Sequence, residues 1–214
     1  MRSVVSAANR FRLLTLCLFA AMGCLGTGCA HSDQELTLTS LSHKQTWRQD
    51  FTHAYTRTDS AGNLDVVLTD RAADQTLAGH HASAVQQIMH IRVMWVPARD
   101  AKAVASNAAI TWYVIGDPAM QDVLEYSGTG FVSIQPADDG QSTVSISNAL
   151  LSPAPNHGAL TDPIGPSRLQ GSIIAKADNQ RVNQILDNVR VTLAAATSAR
   201  AAADESHDHH PAER

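Results

Sequence analysis

Histidine is the residue to weigh first in this chain. It occurs ten times in 214 residues, and imidazole both ligates metals and moves protons near neutral pH. The C-terminal stretch "DESHDHHPAER" places His207, His209 and His210 among Asp204, Glu205 and Asp208. Imidazole mixed with carboxylate suits Zn, Ni or Cu. Such a tail must be ordered in order to bind, so its hold on a metal is weak. The plainer expectation for residues 204–214 is a solvated, disordered end with no resident cofactor. A second group is His80 and His81 in "GHHAS", with His90 nearby in sequence. These meet only if the loop folds back, and their spacing is not that of an HExxH site.

The proline-rich stretch "LSPAPNHGALTDPIGPSR", Leu151–Arg168, is a third candidate. Long connections in compact domains often carry function, and His157, Asp162 and Arg168 are its polar groups. The competing expectation is a stiff edge connection. Trp95, Trp112 and Tyr113 sit in apolar runs, where aromatic side chains are more often core than ligand platform. The chain has no GxSxG elbow, no P-loop, no GxGxxG after a strand and no HExxH. An enzyme built on the histidines would gather two or more of His53, His80, His81, His90, His157 and Asp162 in one concavity. A binding module would show an apolar groove or surface instead.

All three cysteines, Cys17, Cys24 and Cys29, lie before position 30. The body of the chain therefore has neither a disulfide nor a cysteine metal site. Arg2, Arg10 and Arg12 precede the apolar run Leu13–Ala21, and small residues follow at Gly23, Gly26, Thr27 and Gly28. That order is a secretory leader over residues 1–28. Its end, "GTGC" at Cys29 or "AMGC" at Cys24, resembles the lipobox of bacterial lipoproteins. The resemblance implies lipid attachment at Cys29, with Cys24 the second choice, and cleavage just before it. The departure is at Gly26, where the family favours Leu; here Leu25 stands one place early. Ala30, rather than Asp, follows Cys29, and the resemblance then implies the outer membrane of a bacterial envelope. Several acyl chains hold a protein on a bilayer durably where one holds it marginally.

Subtracting the three leader arginines from the 16 basic residues leaves 13 against 20 acidic, a net charge of −7. That balance gives no support to nucleic-acid binding. The expected partners are the lipid bilayer and other cell-envelope proteins. Hydrophobic residues make up 44% and charged residues 17%, a globular composition.

The elements follow from periodicity. Residues 29–44 are polar and read as a tether, with room for a short strand at Leu36–Thr39. Phe51–Arg57 and Leu64–Asp70, joined by "DSAGN", read as a hairpin. In Val85–Pro97 the period of two puts Met89, Ile91, Val93 and Trp95 on a core face and His90, Arg92 and Met94 on the other. Ala108–Gly116 is apolar enough for a strand buried on both faces. Gly130–Pro136, Ser142–Leu151 and Leu169–Ala177 complete the set, and "GTGF" at Gly128 reads as a turn entering a strand. Asp178 is a helix N-cap, and Val182, Ile185, Leu186, Val189 and Leu193 form one helical face reaching to about Ala203.

The expected fold is α+β: a single antiparallel, β-rich, sandwich-like domain over residues 45–203, with about seven strands and one C-terminal amphipathic helix. The expected role is a lipid-anchored envelope lipoprotein that binds or scaffolds rather than catalyses. The alternative is a periplasmic metal-handling protein or hydrolase that uses the histidine clusters.

Overall fold

Alternation along β-branched runs builds the sheet. A computed structural model describes residues 35–72, 85–95, 106–116, 122–154 and 161–207, all within one compact unit spanning Asp33–Arg214. Nine strands are present among them: β1 (Glu35–Ser40), β2 (Thr46–Gln49), β3 (His53–Thr58), β4 (Leu64–Thr69), β5 (Gln86–Val93), β6 (Ala108–Ile115), β7 (Val123–Pro136), β8 (Gln141–Pro153) and β9 (Ser167–Ala177). One helix, α1 (Asn179–His207), follows.

β3 to β9 run in order as an antiparallel meander. β9 then returns to β3, pairing in parallel at Tyr55↔Lys176 and Thr56↔Ala177. Seven strands thus close into a ring, where the sequence suggested stacked antiparallel sheets. β9 divides its second edge. Its C-terminal end meets β3, and its N-terminal half pairs with β1, which carries β2 as a hairpin.

Side chains of alternate parity fill the ring. Val66 and Leu68 of β4, Met89, Ile91 and Val93 of β5, and Ile110 and Trp112 of β6 belong to one buried cluster with Val144, Ile146 and Ile173. A ring of eight strands is just wide enough to be filled by side chains, so seven leave a packed interior. The opposite parity, Val67, Ile88, Ile115 and Val123, lies under α1 against Val182, Ile185, Leu186 and Val189. Asp178 caps α1, with its Oδ1 accepting from Arg181 N at 3.0 Å. The helical face and the cap both match the periodicity.

Several expectations need correction. The tether assigned to residues 29–44 contains β1, whose Leu36 and Leu38 are fully buried. The short strand expected at Leu36–Thr39 is present within β1, and its partner strand is β9, far away in sequence. β2 and the first half of β7 add to the expected strands. "GTGF" is strand interior, not a turn: a Cβ at Gly128 would lie 1.8 Å from the Leu150 carbonyl oxygen. Glycine inside a strand marks such a close approach. β7 is bulged between Thr129 and Phe131, and β8 between Ile146 and Ala149, where Asn148 has φ 51°. Trp95 lies beyond the end of β5 and is 48% exposed rather than core. The backbone of α1 runs to His207, so the first residues of the stretch expected to be a disordered tail are helical. The leader residues 1–28, with Cys24 and Cys29, lie outside the described residues, as do His80, His81, His157, His209 and His210.

Candidate functional site

At one end of the ring the inward-facing positions line a cavity of about 260 Å³. Gln87 comes from the start of β5, Trp112 and Val114 from β6, and Leu124 and Tyr126 from β7. β2 supplies a further wall. Register pairs Trp47 with Leu38 and Gln49 with Leu36, so Trp47 and Gln49 share the inward face of the hairpin. Pro163 and Ile164, from the connection between β8 and β9, complete the wall, and Arg48 is its charged, exposed member. Trp112 and Tyr126 stack with ring centroids 4.9 Å apart.

The proline-rich connection is pinned at this mouth. Asp162 accepts a hydrogen bond from the Tyr126 hydroxyl. The same Oδ1 accepts from the backbone N–H of Ile164 and of Gly165, each at 2.9 Å. Ser40 Oγ donates to the Ile164 carbonyl at 2.7 Å, and Leu41 N–H to the Pro166 carbonyl at 2.8 Å. Burial pushes the Asp162 carboxyl up. The Tyr126 hydroxyl, the Gly165 and Ile164 amides and the His43 charge together outweigh that and leave it below the usual carboxylate range. Burial, then the hydrogen bond and charge of Asp162, drive the Tyr126 hydroxyl well above its ordinary value. Of the polar groups expected in this loop, Asp162 holds the cavity wall, and Arg168 is exposed on β9.

Two buried polar atoms of the wall have no hydrogen-bond partner, Gln87 Oε1 and Trp112 Nε1. Trp112 is 3% exposed. An unpaired buried donor or acceptor costs about 1–3 kcal/mol. Beside Gln87, Asp70 Oδ2 accepts from the Gln87 backbone N–H at 3.1 Å, while Oδ1 is buried and unpaired. Burial raises the Asp70 carboxyl above the usual range, against the Gln87 amide and the Arg71 charge.

Toward the other end, one buried side chain bonds across the strands. Asn107 Oδ1 accepts from Val132 N–H at 2.7 Å, and its Nδ2 donates to the Val132 carbonyl at 2.8 Å and the Trp95 carbonyl at 2.9 Å. It thereby pairs with Val132 as a strand residue would.

Of the described histidines, His43 lies near Asp162 at the mouth, whereas His53 and His90 lie elsewhere. His90, on the outer face, has Nε2 at 2.9 Å from Asp65 Oδ1, and Arg57 reaches the same carboxylate at 2.9 Å. Asp65 is fully buried. Arg57 also donates to Asn183 of α1, so this cluster ties the helix to the ring. His53 packs against Tyr55 on β3. Neither lines the cavity, and no group of three or more metal-ligating side chains occurs among the described residues. The side chains of the tail candidates His207, His209 and His210 lie outside those described. Trp112, expected as core, is both core and cavity wall. Tyr113 packs toward α1 instead. Trp47, Gln87 and Tyr126 were not singled out from sequence; Trp47 and Tyr126 alternate with polar residues, and that pattern alone could have marked them as inward.

The fold and site together define a closed β-ring with an aromatic-lined mouth and an outer helix. No protein-family model matches the chain, and neither a curated protein nor a solved structure is found similar to it.

Proposed function

We propose that the chain is a lipid-anchored protein of the bacterial cell envelope whose β-ring domain binds a small ligand at its mouth. The cavity carries the binding half of this reading. It is concave, mostly apolar and held in shape by a pinned loop, which are the features of a small-molecule site. Its volume lies just under the roughly 300–1,000 Å³ of drug-sized pockets, so it suits a compact group. The leader supports the anchoring half: a basic start, a short apolar run and a Cys preceded by small residues.

Each half has its own test. Cells expressing the wild type, Cys24→Ser and Cys29→Ser are labelled with radioactive palmitate. Loss of label in Cys29→Ser is expected, and label retained in both variants would refute the anchor. For the cavity, a library of small fragments is screened by amide NMR on the labelled protein. Shifts should concentrate at Gln87, Trp112, Val114 and Leu124; hits scattered over the outer faces would refute a mouth site.

A further inference from the structure

We propose that β2 is the contact through which two copies of this chain pair, edge to edge and antiparallel, about a two-fold axis at Trp47. The pairing does not depend on ligand binding at the mouth. β2 stands last in the strand order and pairs with β1 alone among the described residues. Its other edge is therefore open. The hairpin fixes which groups that edge offers. Ser40 N–H donates to the Gln45 carbonyl at 2.9 Å, so positions 40 and 45 form a hydrogen-bonded pair. Bonded and non-bonded pairs alternate along an antiparallel ladder. Leu38 opposite Trp47 and Leu36 opposite Gln49 are in phase with that pair, so Trp47 and Gln49 bond to β1. Thr46 and Arg48 turn their N–H and C=O the other way. Both residues are exposed.

An open edge invites a further strand, and a charge on it deters only a partner that brings its like. The stretch "KQTWRQD", Lys44–Asp50, is complementary to its own reverse. With the axis at Trp47, Thr46 faces Arg48 of the second copy, Gln45 faces Gln49, and Lys44 faces Asp50. Each Thr46–Arg48 pair exchanges both of its main-chain hydrogen bonds. Lys44 and Asp50 are exposed and meet as opposite charges on either side of the axis. An axis at Thr46 would set Lys44 against Arg48, and one at Arg48 would set that arginine against itself. Like charges disfavour both. The same patch serves both copies, so the assembly closes at a dimer. Trp47 meets its twin as a non-bonded pair, the kind whose side chains stand closer. Because Trp47 walls the mouth, the two mouths come side by side.

The test is disulfide trapping in the full-length chain, with Cys17, Cys24 and Cys29 replaced by serine, kept in detergent micelles and oxidised with copper phenanthroline. Facing Cα atoms of a bonded pair stand about 5.5 Å apart, within disulfide reach. Chains carrying Thr46→Cys, mixed with chains of different tag length carrying Arg48→Cys, should give a mixed dimer on a non-reducing gel, and either chain alone at most a trace. Lys44→Glu and Asp50→Lys, placed in both chains, should each lower the yield of mixed dimer about threefold, and the two together should restore it. A merely structural role for either residue would not be rescued by that exchange. Circular dichroism checks that the variants are folded. Dimers of Thr46→Cys alone or Arg48→Cys alone as abundant as the mixed one would overturn the axis at Trp47. Absence of the mixed dimer would overturn self-pairing.

Discussion

Asn107 shows how much one side chain can carry. Two of its hydrogen bonds imitate a β-ladder with Val132 and a third holds the Trp95 carbonyl. Asn107→Leu keeps the branching at Cγ but strands the Val132 N–H in the interior. A loss of about 2–4 kcal/mol is expected, read as a lower urea midpoint with unchanged slope. The pair Tyr126–Asp162 makes a prediction in pH. Asp162 titrates below its unfolded value, so its stabilisation is present above the ordinary carboxylate range and lost as pH falls through the folded value. Tyr126 is raised, so its contribution is present below the ordinary tyrosine value near 10 and lost as pH rises beyond it. Asp162→Asn should flatten the acid limb of a stability–pH curve and Tyr126→Phe the alkaline limb; unchanged limbs would mean the pair contributes nothing. Asp70 has the opposite sign to Asp162. Its raised carboxyl favours the fold in acid, and the ionised form costs stability as pH rises through the folded value. Asp70→Asn should therefore raise the thermal midpoint at neutral pH. None of these three roles is visible in sequence. Asn107 reads as a loop residue, and which carboxylates gain partners depends on strands that meet only in three dimensions.

Elements with strong local period were legible. The helix face from Val182 to Leu193, the Asp178 cap and the core parity of β5 follow from spacing alone. So does the β3–β4 hairpin, whose turn Asp59 closes by accepting from the Ala61 and Asn63 amides. What failed had its cause elsewhere in the chain. β1 was legible as a short strand, but its place in the sheet rather than in a tether depends on β9. β7 is interrupted by Gly128 and Gly130, which local propensity reads as breaks. In place, those glycines let β8 come close. Gly128→Ala should block the β7–β8 approach and lower the thermal midpoint sharply, since backbone rather than a flexible side chain is what the new methyl meets. A midpoint within a degree or two of wild type would contradict that account.

At the scale of the molecule, the domain boundary is testable. A chain beginning at Asp33 retains β1, whereas one beginning at Gln45, the boundary suggested by composition, exposes the edge of β9 and loses Leu36 and Leu38 from the core. The first should unfold in one cooperative transition, and the second should be soluble poorly or melt broadly. Equal cooperativity would mean β1 is dispensable. The mouth cavity depends on the same element, since β2 is held in the sheet by its pairing with β1. The class of fold was legible from the run of strands followed by a helix, but the closure was not, because two residue pairs between β3 and β9 decide it.

The divided edge of β9 also has a temporal consequence. β9 is the last strand, and every bond that shuts the ring or seats β1 waits for it. At ordinary ribosomal rates of about 5–20 residues per second, a chain must grow for roughly 10–35 s before residue 177 has been added. Throughout that interval the earlier strands can form only an open curl. The proposed passage of the chain into the cell envelope would benefit from such a delay, because the piece that locks the fold is the piece that arrives last.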